Sequence, residues 1–140
     1  MKKLKKTVCI IMCFLTMLCF VSCGGNVRNA RTREVASELY SQKEINAAIR
    51  TIKMDFAIDW IDWSGCTLTE IYYAGDDYTK RYQDFADRNN ADDVIVLLST
   101  FTVDSSGGDG SLIPNCTYEK WEWILVRNKG GHWKHVDHGY

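Results

Sequence analysis

SQKEINAAIRTIKMDFAIDW, residues 41–60, is the stretch that decides the fold. Ser41 followed three positions later by Glu44 is a capping box: the hydroxyl accepts from the Glu44 N–H, and the carboxylate reaches back to the Ser41 N–H. From there Ile45, Ile49, Ile52, Phe56 and Trp60 recur at 3.6-residue spacing, while Arg50, Lys53 and Asp59 fall off the stripe. The pattern predicts one long amphipathic helix. A single apolar stripe must be buried against another layer, and the chain after it offers mostly strands.

Thr67 to Tyr73 is β-branched and aromatic, as a strand should be. Val94 to Val103 is apolar on both parities as far as Leu98, which predicts a central strand covered on both faces. Between them Tyr78, Tyr82, Phe85 and Ala86 mark a short helix, opened by Asp76 or Asp77 and closed by Asn89 and Asn90. Ser105 to Ser111 is rich in glycine and reads as a loop. Thr117 to Arg127 and His132 to Tyr140 form a hairpin about Asn128 to Gly131, with Trp121, Trp123 and Leu125 on one face, turned toward the helix. The expected architecture is α+β: a long N-terminal helix on a curved antiparallel sheet of about four strands, with a short helix inserted after the first strand.

The element order, together with the motifs at 71–76 (IYYAGD), 94–99 (VIVLLS), 123–127 (WILVR) and 130–140 (GGHWKHVDHGY), resembles the cystatin-like and nuclear-transport-factor-2-like superfamily. More narrowly it is similar to an uncharacterised family of Gram-positive bacterial lipoproteins that carry a domain of unknown function. The broad resemblance implies a cone-shaped pocket and leaves the activity open, because its members bind, isomerise or dehydrate small molecules, or only dimerise.

The chain opens Met-Lys-Lys-Leu-Lys-Lys, and an almost unbroken apolar run from Val8 to Val21 then leads into Ser22, Cys23, Gly24 and Gly25. At 14 residues the run is short of the roughly 20 that span a bilayer, and a small residue precedes the cysteine. Residues 1–22 therefore read as a lipoprotein signal peptide and Cys23 as the lipid-bearing residue. A retained anchor helix and an ordinary secretory peptide are the alternatives. Residues 23–37, with Arg28, Arg31 and Arg33, read as a flexible tether, a solvated spacer in preference to a specific site for anionic headgroups, which the three cations could also touch, and residues 38–140 as the folded domain. The expected location is the outer face of the cell membrane.

Removing residues 1–22 takes four of the 17 basic side chains and none of the 18 acidic ones, leaving a net charge of about −5. No basic stripe capable of neutralising a nucleic-acid backbone is left. Cys66 and Cys116 are the cysteines beyond Cys23, either bridged outside the cytoplasm or free. They form no CxxC pair, and no metal or other cofactor is expected from them.

His132, His135 and His138 are three residues apart. On a strand they alternate faces, which opposes a metal site and instead sets Trp133, His135 and Asp137 on one face. There His135 is the candidate general base, with Asp137 to orient it. The competing reading is a terminal strand of solvated polar groups. Asp104 and Asp109 lack the ligand spacing of a calcium loop, and Cys66 is a nucleophile only if a partner such as His135 meets it. The candidate ligand face is Trp121, Trp123, Trp133 and His135. Three classes follow: a non-catalytic membrane-anchored domain that binds a small molecule or an envelope protein, an isomerase or dehydratase using His135 and Asp137, and an assembly module.

Overall fold

The computed structural model describes residues 24–59 and 62–140. The predicted signal peptide, Cys23 and Trp60 lie outside them. Helix α1 spans Gln42–Ile58, and its capping box is formed: Glu44 N–H donates to Ser41 Oγ (3.3 Å) and Ser41 N–H to Glu44 Oε2 (2.8 Å). Ile45, Ala48, Ile49, Ile52 and Phe56 are its buried face.

Five strands make one sheet in the order β1-β2-β3-β4-β5: β1 Arg31–Arg33, β2 Cys66–Tyr73, β3 Asp93–Val103, β4 Thr117–Arg127 and β5 Lys134–Gly139. The expected antiparallel sheet of about four strands is thus corrected to a mixed sheet of five. The long helix is also not the first element, since β1 precedes it and pairs parallel with β2, Thr32 opposite Ile71. Arg-Thr-Arg carries no apolar alternation, so its pairing rests on backbone hydrogen bonds and on the Arg33 guanidinium, which lies 3.5 Å over the ring of its partner Tyr72. Residues 24–33, expected within a flexible tether, are docked on the domain. Gly25 N–H donates to Phe56 O (2.7 Å), Asn26 N–H to Cys66 O (2.8 Å), and Leu68 N–H to Asn26 O (2.8 Å).

Three register shifts bend the antiparallel ladders: between Leu68 and Glu70, between Ser99 and Phe101, and between Ile124 and Leu125. Each adds local twist. Lys120, with φ +56°, sits at the second, and the extra residue brings Tyr118 onto the face of Trp121 and Trp123. That face packs against α1, with the Phe56 ring 5.0 Å from Trp63 and 6.1 Å from Trp123. The concavity that the resemblance implies is therefore filled, by Ile45, Ile49, Ile52 and Phe56.

The opposite face is covered by a short helical segment made of α2 (Asp76–Thr79), a 3-10 turn (Lys80–Tyr82) and α3 (Gln83–Arg88). Ala86 packs there with Val94, Val96, Ile124 and Val126. This explains why β3 is apolar on both parities. The phenols of Tyr78 and Tyr82 both donate to the Glu122 carboxylate, Tyr82 at 2.7 Å. Arg127 (side chain 11 % exposed) locks β4 to α1 and β3, with 2.5 Å to Glu44 and 2.9 Å to Asp93.

Cys66 and Cys116 are both free, and they flank β3. Cys66 is paired with Val103, whose N–H donates to Cys116 O (2.8 Å). Two strand spacings, roughly 10 Å, then separate them, beyond the Cα reach of a disulfide of about 7 Å. The bridged alternative is corrected accordingly.

Candidate functional site

Three tryptophans of the predicted ligand face have different fates, decided by their indole N–H. Trp123 is fully buried and donates to Ser99 Oγ (2.7 Å). Trp133 is buried and donates to Glu44 O (3.1 Å), with the Arg127 guanidinium 4.3 Å from its ring. Both are core residues. Trp121 is half-buried, and its Nε1–H is removed from solvent with no acceptor among the described residues. A lone buried donor costs about 1–3 kcal/mol unless something supplies an acceptor.

Around Trp121 lie Tyr118 (5.5 Å), Tyr140 (5.2 Å) and the His138 imidazole (6.0 Å). Tyr140 is 77 % exposed. The strip continues through His138 to His135, their rings 5.2 Å apart, and from there to Asp55 on α1, whose Oδ2 is 3.3 Å from His135 Nδ1. His135 Nε2 lies 3.3 Å from His138 Nδ1 and 3.1 Å from Asp137 O. Burial lowers the His135 pKa, the charge of His138 lowers it further, and Asp55 opposes both. The imidazole is thereby held neutral at neutral pH.

The expected pairing of His135 with Asp137 does not form. Leu125 is opposite His135 and Ile124 opposite Asp137, leaving Val136 as the extra residue of a bulge. His135 and His138 thus share the α1 side, with Trp123 and Leu125, and Asp137 turns to the other side of the sheet. There it lines a small groove of about 190 Å³ with Tyr82, Phe85 and Glu122. Asp55, Tyr118 and Tyr140 are the residues that sequence reasoning missed. Asp55 directly precedes the core position Phe56, but only knowledge of the bulge would have brought it to His135.

The remaining candidates separate. His132 lines an open groove of about 460 Å³ between α1 and the start of β5, with Lys43, Arg50, Met54 and Trp133. No group of three or more potential metal-ligating side chains occurs among the described residues. Asp104 accepts from Ser106 and Asp109 from Ser111, each shaping its own turn. The Cys66 thiol is buried, which pushes its pKa up to about 11 and removes thiolate character at neutral pH. Among the described residues no helix is long and apolar enough to cross a membrane.

No family model matches the chain, and neither a curated protein nor a solved structure matches it significantly.

Proposed function

We propose that this chain is a lipid-anchored domain on the outer face of the cell membrane that binds rather than transforms its ligand, taking it on the strip formed by Trp121, His138 and Tyr140. The lipid reading rests on the basic start, the short apolar run and the Ser22-Cys23-Gly24 sequence. The binding reading is carried by one observation, the buried Trp121 Nε1–H without an acceptor. A ring-bearing ligand with an oxygen acceptor, a sugar unit or a peptide, would stack on the aromatic strip and, by displacing the exposed Tyr140 ring from Trp121, bring its acceptor to that covered donor. The isomerase or dehydratase alternative is set aside because the Val136 bulge parts His135 from Asp137, and α1 fills the interior.

Alkyne-palmitate labelling in cells tests the anchor: the wild-type chain takes the label and Cys23→Ala does not. A panel of oligosaccharides and short peptides, scored by quenching of tryptophan fluorescence, tests the strip. Trp121→Phe keeps an aromatic, though smaller, ring and removes the N–H, so it should weaken the best binder by at least roughly tenfold, a hydrogen bond of about 1 kcal/mol plus some lost stacking. An unchanged affinity would place the ligand elsewhere.

A further inference from the structure

The side of α1 turned away from the core has an unusual makeup. At 3.6 residues per turn, the exposed Lys43, Arg50, Met54 and Ile58 fall opposite the stripe of Ile45, Ile49, Ile52 and Phe56. Met54 is 64 % and Ile58 68 % exposed. No carboxylate falls among these outward residues. Glu44 and Asp55 face β4 and β5 instead, where Arg127 and His135 hold them. On the other flank Lys53 Nζ donates to Ala30 O (3.1 Å), which ties the 28–33 segment beside the helix and sets the exposed Arg28 and Arg31 next to the same surface. In a mature chain with an acidic excess, one surface is therefore basic and apolar.

The chain enters the fold at the end of this surface. Gly24 and Gly25 are buried against the last turn of α1, so close that a Cβ on Gly24 would stand 2.7 Å from Ala57 O and one on Gly25 would stand 2.1 Å from the Phe56 ring. Position 23 is one peptide link further, about 3.8 Å between Cα atoms. A lipid on Cys23 would thus be joined directly to residues that the fold holds, with no long spacer between. A groove of about 320 Å³, lined by Gly25, Asn26, Val27, Arg28 and Ala57, adjoins the exit.

We infer that the outward face of α1 lies on the bilayer, with Met54 and Ile58 entering the headgroup boundary and Arg28, Arg31, Arg50 and Lys43 meeting anionic headgroups. The occupant is the surface of a membrane that contains phosphatidylglycerol or lipids of like charge. The charge complementarity and the exit of the chain beside Ala57 both select it over a soluble partner. This rests on the lipoprotein reading, and it adds that the domain is held in one orientation, the β5 edge to one side, instead of swinging on a leash.

The test uses the lipidated full-length product reconstituted into phosphatidylcholine vesicles with and without phosphatidylglycerol. In a Cys116→Ser background, which removes the partly exposed native thiol, Ile58→Cys and separately Met54→Cys one turn earlier are labelled with a membrane-impermeant maleimide. Asp87→Cys on α3, across the sheet, is the reference. With phosphatidylglycerol present, positions 58 and 54 should react at least about fivefold more slowly than after detergent release, the equivalent of one cation at the surface, while position 87 is unaffected. Arg28→Glu with Arg50→Glu should restore the rate. A lipidated chain in which 58 and 54 react equally fast on vesicles and in detergent overturns the docked orientation alone. A chain that takes no palmitate label overturns the anchor and the orientation together.

Discussion

Gly25 shows how much of this molecule turns on single side chains, in this case on the lack of one. Its N–H donates to Phe56 O, and its Cα passes so near the Phe56 ring that an added methyl would overlap the ring at 2.1 Å. Phe56 is fully buried and packed by Trp63, Phe101 and Trp123, so it has nowhere to retreat. Gly25→Ala should therefore cost about 1–3 kcal/mol, the range for overpacking, and would be read as a lower urea midpoint with an unchanged slope. The same substitution at Gly110, where nothing lies within 4 Å, is not relieved of strain either, because φ is +96° there. The two costs differ in kind: crowding at Gly25, backbone conformation at Gly110. In the sequence both are only glycines, and a two-glycine step after a cysteine reads as spacer. Nothing in the order of residues reveals that Phe56 is pressed against it.

At the scale of elements, α1 and strands β2 to β4 were legible because their signals are local. The capping box, the 3.6-residue stripe and the doubly apolar β3 each state what they bury. Ser41→Ala tests the first. It removes the side-chain acceptor of the Glu44 N–H and should destabilise the fold by about 1 kcal/mol, measured in the same urea titration, whereas Ser106→Ala, in an exposed turn, should change it by no more than about 0.5 kcal/mol. Two features were not legible. β1 has three exposed residues and pairs chiefly through main-chain groups that every sequence possesses, with only the Arg33 guanidinium over the Tyr72 ring as a side-chain contact across the pair. The bulge at Val136 leaves the alternation of His132 to Tyr140 intact on paper, yet one extra residue reverses parity from there to the end of the strand. The site suffered most from this. The sequence offers His135 as a candidate general base with Asp137 to orient it; in the structure it is half-buried and its carboxylate is Asp55 from the helix, not Asp137 two residues on. Trp123 and Trp133 were good ligand candidates by type, and only their satisfied N–H groups reveal them as core.

For the whole molecule, the ionisable groups that tie α1 to the sheet make stability depend on pH in two separate windows. The first belongs to His135. Its pKa is below the ordinary 6.5, through burial first and His138 second, against the pull of Asp55. The unfolded chain, with an imidazole near 6.5, then binds more protons than the folded one just below that value, so stability rises with pH there. The contribution is complete above 6.5 and is lost progressively as the pH falls. The second window belongs to Glu44, whose pKa is drawn from 4.5 to about 2, chiefly by the hydrogen bond from Arg127 and then by Ser41. Here too the unfolded chain is the better base, so the stabilisation is present above 4.5 and disappears as the pH approaches 2. Urea midpoints measured from about pH 8 to about pH 2 should accordingly show one decline beginning near neutrality and a second in the acid range. His135→Gln removes the titrating ring and should abolish the first decline while leaving the second. Arg127→Met should shrink the second, because Glu44 loses the partner that holds its proton off, and should lower stability at neutral pH as well, since Glu44 and Asp93 are left without their cation. A wild-type profile flat from about pH 8 to about pH 5 would mean that the attraction of Asp55 fully offsets burial and the charge of His138, leaving the imidazole with the pKa it has in the unfolded chain.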